Sequence, residues 1–159
     1  MANGFTFSSV LYCLMTSALI VITVIDERTY QIPVSMNLFI GLIGVIMTVY
    51  DYKHILSHLI GMVCVSLFLY ALYYFSSGQA IGGGDIKLMA TAGLVLGVKN
   101  IVFAFFLACI LGSIIHTIRM KVSKKNNLLA MGPYLSVSIY IAALWGNCFW
   151  SWYLGLMGL

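Results

Sequence analysis

The chain has 159 residues, 62% of them hydrophobic and 8% charged, where an ordinary soluble domain carries about 25% charged residues. Four acidic residues and eight Lys plus Arg cannot coat a water-soluble globule, so the composition excludes one and predicts an all-α polytopic membrane protein surrounded by membrane lipids. A net charge of +4, small and dispersed, argues against a nucleic-acid partner.

In chain order, the first apolar stretch lies near residues 6–25. "MANGFTFSSV" has no basic region and the stretch ends at "IDERTY" rather than at a small-residue cleavage site, so a retained helix is expected in place of a secretory signal. Pro33 follows a polar loop and suits the first turn of a second helix over 34–50. "YDYKH", with Asp51, reads as a wet interfacial turn with Tyr anchors before a third helix over 55–75. The glycine run of "GQAIGGGDIKLMA" comes next, at 78–90, and leads into an apolar segment, 86–98, whose 13 residues are short for a span. A further helix is expected over 101–118, then a basic loop, "RMKVSKK", at 119–125, facing anionic headgroups on the cytoplasmic side. Gly132 and Pro133 break or kink the start of the last helix, over 134–156.

If 86–98 crosses the bilayer, Arg28, Lys87, Arg119, Lys121, Lys124 and Lys125 fall on one side and only Lys53 and Lys99 on the other. If it does not, the asymmetry weakens to five against three. The positive-inside rule therefore favours a bundle of six transmembrane helices with both termini outside, forming a single domain over 1–159. Cys13, Cys64, Cys109 and Cys148 stand singly, without a CxxC pair, and read as packing residues. His54 and His58, four apart, could share a helix face, yet with no carboxylate or cysteine seen beside them they read, like His116, as interfacial or packed histidines. No metal and no cofactor is expected.

Asp26 ends the first span and Asp85 begins the fourth, both on the cytoplasmic side in the six-span topology. A carboxylate in or near a bilayer costs free energy unless it is paired, hydrated or used. Two carboxylates sharing a site do not both ionise easily; they hold one proton between them and can act as base and acid at once, the working unit of an aspartic hydrolase. Gly82, Gly83 and Gly84, without side chains, would let the backbone approach an extended substrate segment. Lys87 could favour the charged form of Asp85 or snorkel to the headgroups. Blander readings exist for each element: a plain glycine loop, Asp85 as a helix cap, and Asp26 as an interfacial charge beside Glu27 and Arg28.

These segments together resemble the type IV prepilin peptidases, membrane-embedded aspartic proteases. "IGGGDIKLM" is similar to their GxGD motif, with Gly82, Gly84 and Asp85 aligned and Lys87 following. "DERTYQIP", Asp26 to Pro33, is similar to the family's first catalytic segment, and "MGPYL", 131–135, to its Gly-Pro-aromatic-Leu segment. The likeness runs from about residue 8 to residue 150. It implies that Asp26 and Asp85 are the catalytic pair, and that the partner is a prepilin or pseudopilin precursor, cut after a Gly at the cytoplasmic border of its own apolar helix. Gly132 and Pro133 would shape the helix facing the pair, and the membrane would be the bacterial inner one. Glu27 ranks behind Asp26, because one step along a helix points about 100° away.

The chain departs from the pattern in two places. Many members carry an N-terminal cytoplasmic domain with paired CxxC motifs linked to N-methylation; this chain starts at the first span, so a peptidase without methyltransferase activity is expected. Ala130 and Met131 stand where Pro-Phe often precedes the Gly-Pro pair. Two readings compete with the enzyme: a small transporter with an Asp85/Lys87 charge site at a glycine-broken helix, and a structural assembly subunit that makes no demand on the carboxylates.

Overall fold

The structure is a computed structural model and describes residues 6–76, 81–122 and 131–158. The described residues form five α-helices and no strand: α1 (Phe7–Thr29), α2 (Val34–Tyr50), α3 (Ile55–Phe75), α4 (Gly83–Val122) and α5 (Gly132–Met157), with a short 3-10 turn at Tyr52–His54. Three stretches, Phe7–Thr29, Tyr52–Phe75 and Gly83–Ile115, are long and apolar enough to cross a membrane. Helix α2 is equally apolar, but its 17 residues span only about 25 Å at 1.5 Å per residue. The outward faces are apolar as well: Leu38 and Phe75 are 74% and 84% exposed. A surface of this kind is made for lipid, and the chain is a helical membrane protein.

Helix α4 packs against α3, α5 and α2, while α1 packs against α5 and α2. Met15, Ile22, Ile40, Leu88, Met89, Val95, Ile101 and Ile139 fill the interior between them. Close helix approach, which in a bilayer replaces the hydrophobic effect as the source of association, depends on glycine. A methyl group on Gly93 would run into the Gly61 carbonyl, so the α3 and α4 backbones touch directly.

The segments expected at 86–98 and 101–118 are joined within α4, which is broken at Gly97 (φ 74°, ψ 170°), a conformation that favours glycine. The contacts change direction there. Before the break, Gly41 faces Thr91 and Gly44 faces Leu94, so α2 and α4 advance together. After it, Asn100 donates to Asn147 of α5 at 3.2 Å and Gly112 lies near Tyr134, so that part of α4 runs against α5.

The break is closed by polar side chains. His58 Nδ1 donates to the Leu94 carbonyl at 2.9 Å, Thr48 adds a longer bond to the same oxygen, and the Val98 N–H donates to Ser57 Oγ at 3.3 Å. Asp51 lies beside both histidines, 2.9 Å from His54 Nδ1 and 3.6 Å from His58 Nε2. This corrects the expectation of histidines without a nearby carboxylate: the 3-10 turn folds Asp51 back onto α3. His58 is buried, and His54 is exposed. Among the described residues no group of three His, Cys, Asp or Glu is placed to hold a metal ion. Pro33 immediately precedes α2 instead of lying in its first turn. Pro133 lies in the first turn of α5, where its missing N–H costs nothing. The basic loop with Lys124 and Lys125 falls outside the described residues.

Candidate active site

Of the four acidic residues, only Asp26 and Asp85 are buried, at 4% and 8% exposure. Asp26 lies in the last turn of α1, which stops at Tyr30, whose N–H donates to the Asp26 carbonyl at 2.8 Å. Its carboxylate Oδ2 accepts the N–H of Gly132 at 2.9 Å. Gly132 is the first residue of α5, and the positive end of a helix dipole suits a carboxylate. A Cβ at Gly132 would lie 2.6 Å from Oδ2, so only glycine allows the α5 backbone this close. Glu27, one step along, is exposed, as its position on the helix requires.

Asp85 is the third residue of α4, inside the first turn and not at the cap. Its N–H donates to the Gly82 carbonyl at 3.1 Å. The three glycines differ in what surrounds them. A Cβ at Gly82 would meet Asp85 Oδ2 at 3.1 Å, one at Gly84 would meet Ile32 at 3.0 Å, and one at Gly83 would meet nothing. Asn37 of α2, buried, reaches the Gly84 carbonyl with Nδ2 at 3.5 Å, and its Oδ1 has no partner among the described residues.

Asp26 and Asp85 line one cavity of about 260 Å³, whose other walls are Tyr30, Gln31, Ile32, Gly82, Gly83 and Gly84. The loop between α1 and α2 meets the glycine run there, with Ile32 packed against Gly84. Lys87 is exposed and outside the lining, and Gly132 and Pro133 stand behind Asp26 at the start of α5. The cavity offers two acids, exposed backbone at Gly83 and no side chain along the glycines. Tyr30, Gln31, Ile32 and Asn37 were not ranked from the sequence. A lone amide in the otherwise apolar α2 was the available signal for Asn37.

Known proteins similar to the chain match it over most of its length. The chain is 31% identical over 159 residues to the prepilin leader peptidase/N-methyltransferase of Legionella pneumophila, covering 96% of this chain and 55% of that protein. It is 32% identical over 149 residues to the protein of the same name from Neisseria gonorrhoeae (89% of this chain, 51% of the relative), and 28% identical over 141 residues to that of Bacillus subtilis (87% and 56%). The chain thus spans about half the length of the curated relatives it matches. No solved structure matches it significantly. The type IV leader peptidase family matches residues 13–117, well over half of the sequence and including both buried aspartates, and the chain belongs to that family.

Proposed function

We propose that the chain is an intramembrane aspartic endopeptidase that removes the leader from type IV prepilin-like precursors, with Asp26 and Asp85 as its catalytic pair. The observation that carries the reading is the pair itself: the two buried carboxylates of the molecule line one cavity beside a run of glycines. One carboxylate takes a proton from water as the water oxygen bonds to the scissile carbonyl carbon; the protonated partner hydrogen-bonds the carbonyl oxygen. When the tetrahedral intermediate collapses, the C–N bond breaks and the leaving amine receives a proton from the pair. The N–H of Gly132 holds Asp26 in orientation throughout. Gly82, Gly83 and Gly84 receive the extended substrate, and Pro133 fixes the start of α5 behind the pair. Lys87 contributes positive charge at the headgroups. Nothing in the reaction calls for a metal.

The same reading extends to topology. Counting α4 as two segments that reverse at Gly97, the chain makes six passes with the aspartates at the cytoplasmic end and both termini outside, within a single peptidase domain. The substrate's bond after a Gly at the cytoplasmic border of its apolar helix then meets the pair at the same depth. The membrane is the bacterial inner membrane. Of the two activities in the relatives' names, the proposal takes only the peptidase.

The test is direct. Membranes containing the chain are incubated with a tagged prepilin-like precursor and the product is weighed by mass spectrometry. A product that begins just after the leader's Gly is expected; an intact precursor in the presence of well-expressed protein would overturn the assignment.

A further inference from the structure

Among the described residues, one side chain other than glycine sits on left-handed backbone: Tyr30, at φ 55° and ψ 30°. In that conformation Cβ crowds the following carbonyl oxygen, and helix ends that need it use glycine or, less often, asparagine. The backbone needs the turn. Through it the Tyr30 N–H closes α1 on the Asp26 carbonyl, and Gln31 and Ile32 come to line the aspartate cavity. Nothing in the turn calls for an aromatic ring, since glycine would make it at less strain.

Nor is the ring recruited into the core. Tyr30 is 44% exposed, and among the described residues its ring stacks on no other and its hydroxyl has no hydrogen-bond partner. Tyr30 lines the cavity that Gly82, Gly83 and Gly84 also line. Strained residues that persist without a packing reason gather where ligands are held. A tyrosine offers an entering peptide a flat apolar face and a free hydroxyl at the cost of only two rotatable angles.

Resting on the peptidase reading above, we propose that Tyr30 is a substrate-binding residue whose ring presses the precursor segment flanking the scissile bond onto the glycine wall. The ring contributes to holding the peptide and not to the proton transfers.

The experiment measures kcat and KM for cleavage of a tagged prepilin-like precursor, with thermal unfolding in detergent, for wild type, Tyr30→Gly, Tyr30→Asn and Tyr30→Phe. Glycine and asparagine keep the turn and remove the ring. Both are expected to unfold at or above the wild-type temperature while KM rises about tenfold, the worth of one good aromatic contact, with kcat nearly unchanged. Phenylalanine should restore most of the affinity. A Tyr30→Gly enzyme with wild-type KM would overturn the inference, and so would a fall in unfolding temperature and kcat together at constant KM, which marks a packing residue. Asp26→Asn and Asp85→Asn are run alongside. If both cut normally, the peptidase reading falls and takes this one with it; if both are silent and Tyr30→Gly keeps its KM, only the Tyr30 inference fails.

Discussion

Both ends of the bundle interrupt a helix next to glycine and place a carboxylate there, yet they treat their polar groups differently. At the Gly97 end, His58 meets the Leu94 carbonyl, Ser57 meets the Val98 N–H, and Asp51 lies between two histidines. At the aspartate end, Tyr30 stands on strained backbone with no hydroxyl partner among the described residues, and the two carboxylates open onto a cavity; an unpartnered buried oxygen is found near both ends, on Asn37 and on Asn100. A buried polar group that stabilises is satisfied within the protein. The difference that remains is the cavity, onto which only the aspartate end opens its carboxylates. On the proposed function, the aspartate end is the working end and the Gly97 end a structural one.

The largest effect that would break this contrast is expected at Gly132. Replacing it by Ala forces a methyl into the position of the Asp26 carboxylate, since the added Cβ would lie 2.6 Å from Oδ2. Overpacking costs about 1–3 kcal/mol, and the displaced atom is one the proposed mechanism uses, so kcat/KM for precursor cleavage should fall at least about tenfold. Wild-type cleavage by Gly132→Ala would show that Asp26 need not be held by α5. At the opposite end, His58→Leu should do the reverse. It leaves the Leu94 carbonyl only the longer bond from Thr48, at a cost of about 1 kcal/mol, visible as a lower unfolding temperature in detergent, while kcat/KM of the folded fraction is unchanged. A selective loss of kcat in His58→Leu would mean that the two ends are coupled.

Gly83→Ala sharpens the comparison within the site. A Cβ there meets no atom of the protein, so unfolding should not move by more than a few tenths of a kcal/mol. Cleavage should nonetheless drop several-fold, because the methyl stands where the proposed function brings in the substrate backbone. Unchanged KM in that variant would remove the glycine wall from the account.

The smallest effect is expected at Asp51. Its hydrogen bond from His54 is the main cause that holds its carboxyl below the usual carboxylate range. A lowered folded-state value stabilises above the unfolded value of about 3.9, and the contribution is lost as the pH falls through the lower value. Wild type should therefore lose more stability below about pH 4 than Asp51→Asn does. The difference should stay within the roughly 0–1 kcal/mol of exposed ion pairs, as read by unfolding against pH.

Much of the working end was legible because charge is so scarce in this chain. With only four acids, Asp26 and Asp85 each invite a reason, and a run of three glycines before Asp85 stands out in so apolar a chain. The partners of those residues were less legible. That Gly132 binds Asp26 depends on contact across 106 positions, and no local pattern carries it. Tyr30 looked like one polar residue in a loop, since left-handed backbone is set by how α1 must end and not by tyrosine's preference. The segment 86–98 was read as a short span of its own; its helical pattern was right, but the turn at Gly97 is held by Ser57 and His58 from another helix. His58 itself looked isolated because Asp51, seven positions earlier, reaches it only through the 3-10 turn.

The central claim is that Asp26 and Asp85 form one catalytic unit. The most direct measurement is cleavage of a tagged prepilin-like precursor by Asp26→Asn, Asp85→Asn and the double variant, each matched to wild type for expression and unfolding temperature. The account predicts that each single change lowers the rate by at least about a hundredfold, and that the double change costs little more than either alone, as members of one unit do. Two singles that both cut at the wild-type rate would contradict it.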